Sequence, residues 1–191
     1  MKNLLIRYCN ISHFKLVSFI LLMLIFSGCL SIKPSTTKSG KKYFETFFVG
    51  EEGTQYFIKP ILFKDEKLNE DLILDITFRY RNEIKDSATV NFSIKSPIIY
   101  KTIDSLKLLN KDIEIYTNKV ELLFNEKNKT GFISRYATKF SLKEIKEMFK
   151  NEAWEIKIYN QNKITRYVAN KKTIITIKTI RDNVFVMMWN Y

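Results

Sequence analysis

Leu72-Ile73-Leu74-Asp75-Ile76-Thr77-Phe78-Arg79-Tyr80-Arg81 decides the fold. Leu72, Leu74, Ile76, Phe78 and Tyr80 form one apolar set, and all but Ile73 of the residues between them are polar or charged. Side chains on a strand point alternately to opposite faces, so a period of two this long predicts a strand with one buried and one wet face. The same pattern returns at Ala88, Val90, Phe92 and Ile94, set between Thr89, Asn91, Ser93 and Lys95, and again at Phe132, Ser134, Tyr136, Thr138 and Phe140. Half-buried alternation joined by short loops is the mark of antiparallel neighbours.

Working outward, Tyr43–Val49 and Tyr56–Phe63 flank Gly50-Glu51-Glu52-Gly53, which reads as a hairpin connection. Pro60 has no backbone donor, so the second of these strands lies at an edge or is bulged there. Ile98–Leu109 reads as a strand followed by a short helix, and Ile113–Phe124 as one strand. Asn128–Gly131 and Asn160–Asn162 are turns, the second between strands at 154–159 and 164–168. One helix is well marked. Ser141 and Glu144 have capping-box spacing, Phe140 and Ile145 are placed as a staple, and Leu142, Ile145, Met148 and Phe149 make one stripe. It is expected to run over about 142–150. The β-branched Thr173–Ile180 and the apolar Val184–Trp189 read as closing strands joined across 181–183. The sum is a mainly-β, antiparallel, β-sandwich-like single domain with one short amphipathic helix.

The amino terminus has a different grammar. Lys2, Arg7 and Lys15 precede an apolar run from Leu16 to Phe26, and Ser27-Gly28-Cys29 follows. A basic n-region, a short apolar h-region and small residues form a secretory signal, whereas a membrane span needs roughly 20 apolar residues. Ile25-Phe26-Ser27-Gly28-Cys29 resembles the lipobox of bacterial lipoproteins, with Phe26 where Leu is usual. The resemblance covers residues 1–29. It implies that 1–28 are removed, that the Cys29 thiol carries diacylglycerol and acyl chains, and that the protein is lipid-anchored in the cell envelope. An Asp after the cysteine would imply the inner membrane. Leu30 is not Asp, and no acidic cluster follows Cys29, which implies an outer membrane where one exists, facing the periplasm. Residues 29–42 (CLSIKPSTTKSGKK) read as the lipidated end and a tether, and 43–191 as the globular domain.

Cleavage before Cys29 would remove three basic residues, no acid, Cys9 and the only histidine, His13, so the net charge of +12 becomes +9. A mature chain without histidine or free thiol excludes Ser-His-Asp and Cys-His catalysis, His- or Cys-type zinc sites and a disulfide. Stability then rests on packing, for which about 150 residues suffice.

No residue set marks a catalytic or metal site, and no cofactor is implied beyond the lipid on Cys29. The candidate binding face is Asp75, Thr77, Arg79 and Arg81, with Asn91 and Ser93 on the next strand. Charges, amides and hydroxyls on one sheet face suit a carbohydrate or a peptide carboxylate, which arginine grips bidentately. The same pattern also suits an ordinary solvated face with cross-strand pairs. The acidic pairs Glu51/Glu52, Asp65/Glu66 and Glu70/Asp71 read as solubilising turns rather than the carboxylate pair of a glycosidase. Basic residues interleaved with aromatics at 157–166 suit single-stranded nucleic acid in a cytoplasmic protein, but export excludes that partner. Asp86-Ser87-Ala88 and Asp104-Ser105-Leu106 resemble a short bacterial O-glycosylation acceptor, with Ser87 the better placed. The reading is a non-enzymatic envelope lipoprotein that binds a protein or glycan through a sheet edge or face. The alternatives are a carboxylate-dependent glycan hydrolase and an immunity or inhibitor lipoprotein.

Overall fold

The alternation at 72–80 builds the middle of a ten-stranded sheet. The computed structural model describes residues 40–65, 67, 70–81, 87–161 and 163–189. The expected signal segment, Cys29 and the expected tether as far as residue 39 lie outside them. After a helical turn at Gly40–Tyr43 the strands are β1 (Phe44–Phe48), β2 (Thr54–Asp65), β3 (Asp71–Tyr80), β4 (Ser87–Ser96) and β5 (Ser105–Leu109). They continue as β6 (Glu114–Thr117), β7 (Glu121–Asn128), β8 (Gly131–Ser141), β9 (Glu155–Asn160) and β10 (Lys163–Val168). All pairings among the described residues are antiparallel. The order is β6-β5-β9-β10-β2-β3-β4-β8-β7, with β1 paired to β2 beside it.

β6 and β7 stand at opposite ends of that order, yet only Asn118, Lys119 and Val120 join them. Three intervening residues span at most about 14 Å between Thr117 and Glu121. Laid flat, nine successive strands would be roughly 40 Å across. The sheet therefore curls until its two ends meet, helped by the right-handed twist of each strand. Thr138 of β8 donates to the Lys119 carbonyl at 2.6 Å and pins the link. The result is a mainly-β, sandwich-like domain whose inner faces share one core. Leu72, Leu74, Ile76 and Phe78 face that core, as do Val90, Phe92, Ile94, Tyr136 and Phe140.

Pro60 sits within a register shift between Ile58 and Ile61, which resolves it as a bulge in an internal strand. Two glycines are fixed by close approach. A Cβ on Gly53, at φ +92°, would lie 2.4 Å from the Tyr80 carbonyl oxygen, and one on Gly131 would lie 2.3 Å from that of Ser96.

The helix α1 (Leu142–Met148) carries the capping box: Ser141 Oγ accepts from the Glu144 amide, and the Glu144 carboxylate accepts from the Ser141 amide. Leu142, Ile145 and Met148 are buried. The carboxyl-terminal segment corrects the sequence reading. Instead of two strands, residues 171–189 form one continuous helical run: α2 (Lys171–Ile180), a π turn at Arg181–Phe185, and a last turn at Val186–Trp189. Thr173, Ile177, Ile180, Val184 and Met188 are buried at intervals of three or four, a helical period that overrides the strand propensity of the individual residues. Asn170 caps the start by accepting from the Thr173 amide. Thr176 and Thr179 bond back to carbonyls four residues earlier, which accommodates them within a helix. Lys146 Nζ donates to the Met188 carbonyl at 2.7 Å, placing a cation at the helix end where it complements the dipole.

Two further expectations are revised. Residues 97–104 carry no strand or helix before β5. The segment 113–124 divides into β6 and β7, because the chain crosses there from one end of the sheet to the other. No helix among the described residues is long and apolar enough to cross a membrane.

Phe185 joins the terminal helical run to the sheet. Its ring stacks on Phe149 at 4.2 Å and meets Phe78 at 5.4 Å, and Phe149 meets Trp154 at 4.7 Å. Phe185→Ala should lower unfolding stability by about 3–5 kcal/mol. Met187→Ala, at an exposed position of the same run, should stay within about 0.5 kcal/mol. Urea titrations of both variants check this; equal, small losses would mean that the run does not pack on the core.

Candidate functional site

Odd-numbered residues of β3, β4 and β8 share the outer face. Asp75 is in register with Asn91 and Thr77 with Thr89, while on β8 Arg135 opposes Ser93 and Lys139 opposes Thr89. Three of the expected face residues meet here around Asp75. Asn91 Nδ2 donates to Asp75 Oδ1 at 3.0 Å, and Arg135 donates to Asp75 Oδ2 at 2.7 Å and to Ser93 Oγ at 3.0 Å. Arg135 was not among the expected residues, although the alternation of 132–140 already places it outward. The cluster is half-buried, and its charges neutralise each other. Thr77 lies in the adjoining row.

Arg79 turns away to Glu52 and to Gln55, whose Nε2 donates to the Phe78 carbonyl at 3.0 Å. Arg81 lies beyond the end of β3 and is exposed. The six expected residues therefore do not form one receptor. Asp75, Asn91 and Ser93 form a rigid cross-strand tie, Thr77 flanks it, and the two arginines sit apart. Ser87 begins β4 and is exposed, whereas Ser105 is buried at the start of β5.

The acidic pairs separate as well. Glu51 is exposed, Glu52 holds Arg79, and Asp71 lies 3.4 Å from Lys64. Asp65 accepts from the Lys67 amide, and Glu66 lies outside the described residues. Glu70 is different. It is buried, and its oxygens accept from Ser96 Oγ at 2.8 Å and from the Tyr100 and Tyr167 hydroxyls at 2.9 Å each. Tyr136 donates to the Tyr100 carbonyl at 2.6 Å, and the Tyr100 amide to Ser134 Oγ. A buried carboxylate is tolerable because each oxygen is hydrogen-bonded. This network fixes the irregular 97–104 segment across the end of the curled sheet. Nothing in the residue pattern marks it beyond the rule that adjacent acids point to opposite faces.

One accessible feature is the seam where the sheet's ends meet. A groove of about 440 Å³ lies there, lined by Asn118, Lys119, Val120 and Glu121, with Thr89 and Lys139 from the outer face and Ala137 and Thr138 beside them. β7 borders it and, among the described residues, pairs on one side only, with β8. Leu122, Leu123 and Phe124 are exposed in succession on this edge, Leu123 at 46%. A register shift between Leu122 and Phe124 bulges the strand, and β7 buries none of its residues on either face, so three neighbouring apolar residues reach solvent. Three apolar residues in a row, breaking the period of two, were the signal available in the sequence. Backbone groups on an unpaired edge next to a groove suit an extended chain better than an isolated anion.

Among the described residues, no group of three or more histidine, cysteine, aspartate or glutamate side chains is placed to hold a metal ion. The chain matches no family model, no curated protein and no solved structure.

The tyrosines give the domain an alkaline limit. Burial raises the Tyr100, Tyr136 and Tyr167 phenols above their ordinary value, Tyr136 to about 12, and the Glu70 carboxylate adds to the rise at Tyr100 and Tyr167. The unfolded phenols lose their protons near pH 10 while the folded ones keep them. The folded state then binds more protons, so stability falls as pH rises from about 10 towards 12. Tyr136→Phe should remove about 1.4 kcal/mol per pH unit from that decline. Urea unfolding at pH 8, 10 and 11.5 tests it, and an unchanged slope in the variant would refute it.

Proposed function

We propose that this chain is a lipid-anchored envelope protein, held through Cys29, that acts as a non-enzymatic docking module for an extended segment of another protein. The observation that carries the docking half is the β7 edge: a terminal strand, paired to β8 on one side, with Leu122, Leu123 and Phe124 exposed beside the seam groove. Strand addition there supplies main-chain hydrogen bonds from the partner. The apolar side chains and the groove supply selectivity, with Lys119, Lys139 and Glu121 at its margin. The self-neutralised tie at Asp75 acts in support, holding β3, β4 and β8 rigid under the binding edge.

The anchor half rests on the lipobox-like Ile25–Cys29. The absence of histidine from the mature chain and the full occupancy of the Glu70 oxygens favour binding over catalysis.

Two measurements test the halves separately. Cys29→Ala should abolish incorporation of labelled palmitate and release the chain from the membrane fraction; palmitate retained by the variant counts against the anchor. A photo-crosslinking residue at Leu123 should capture a discrete protein adduct in intact envelopes, while one at the exposed Ile175 should not. The same background from both positions counts against the β7 edge.

A further inference from the structure

A second exposed apolar cluster lies at the β1–β2 corner. Phe47, Phe48 and Val49 follow one another at the end of β1, and Phe57 of β2 joins them. Phe48 is 79% exposed, the highest value among the exposed large hydrophobic residues, and Phe47 meets Phe57 edge-on at 5.5 Å. The corner is presented by a fixed turn. The Val49 amide donates to the Gly53 carbonyl at 2.9 Å, and Gly53 fits against the Tyr80 carbonyl only because it lacks a Cβ. Two ion pairs lie nearby: Glu45 is 2.8 Å from Lys59, and Glu52 holds Arg79.

We infer that this corner dips into the bilayer to which the chain is anchored. The inference rests on the Cys29 attachment proposed above. β1 is the first strand of the domain, and Phe44 follows Cys29 by fifteen residues, a contour of at most about 50 Å. A thiol fixed in lipid thus keeps this strand near the membrane at high effective concentration, where even a small apolar patch suffices for contact. Exposed aromatic and aliphatic side chains on a rigid corner, with the adjoining ion pairs closed, suit the interface between headgroups and acyl chains. Exposed Glu51 and Arg81 flank the same turn with opposite charges, so the corner carries no net charge to favour an anionic surface. The contact is therefore apolar and insensitive to salt.

The test uses the lipidated full chain reconstituted through its own anchor into phosphatidylcholine vesicles. With Cys29 acylated and Cys9 removed, Val49→Cys provides a single free thiol for an environment-sensitive dye, and Lys139→Cys provides the control. The label at 49 should be blue-shifted, quenched by spin-labelled lipid and unaffected by high salt. The label at 139 should stay aqueous, and adding Phe47→Ser and Phe48→Ser should return the label at 49 to the aqueous signal. A chain that remains on the vesicles with an aqueous label at 49 overturns the inference. If that label is then shielded only in intact envelopes, the corner belongs to a protein partner instead. A chain that washes off the vesicles overturns the anchor, and this inference with it.

Discussion

Everything in this domain depends on three residues, Asn118, Lys119 and Val120, that connect the two ends of the sheet. Without so short a link, the strand order would permit an open sheet with two distant edges. With it, the first and last strands of the order are brought within reach of each other, and the inner face is enclosed. The Thr138 hydroxyl on the Lys119 carbonyl turns that steric limit into a fixed position. Closure also creates the groove, since the lining residues come from the link itself and from β4, β7 and β8. Core and candidate site thus have one origin.

Much of the sheet was legible because its strands are half-buried. At Leu72–Tyr80 and Ser87–Ser96 the water boundary runs along the strand and writes a period of two into the residues. The helix at Leu142–Met148 was legible from its cap. Residues 171–189 misled because Thr, Ile and Val favour strands one by one, while their burial follows a helical period interrupted by a π turn. Thr side chains bonded to carbonyls one turn back satisfy their hydroxyls within the helix, and it is the burial of one face that overrides the preference. The break between β6 and β7 is likewise a tertiary fact, set by where the chain must cross.

The site was less legible than the fold. Alternation correctly put Asp75, Asn91 and Ser93 on one face, but it could not say that Arg135 would close the set. Arginine 79 is drawn off by Glu52, a residue from the preceding turn. A polar face read from one strand at a time overstates its freedom, because cross-strand partners are supplied by segments far away in sequence. Glu70 makes the same point in the interior: its three hydroxyl partners come from β4, the 97–104 segment and β10.

The placement of β10 has a kinetic consequence. Its Tyr167–Val168 end pairs with Lys64–Asp65 of β2, about a hundred residues earlier. In order of sequence, β2 to β4 can form successive hairpins, and β7 and β8 can join them. The far half of the sheet must wait for residues beyond 155. During that interval one flank of β2 lacks its later neighbour, and non-local pairing of this kind is slow and prone to aggregate. The last quarter of the chain is therefore required before β5, β6 and the open flank of β2 find their neighbours.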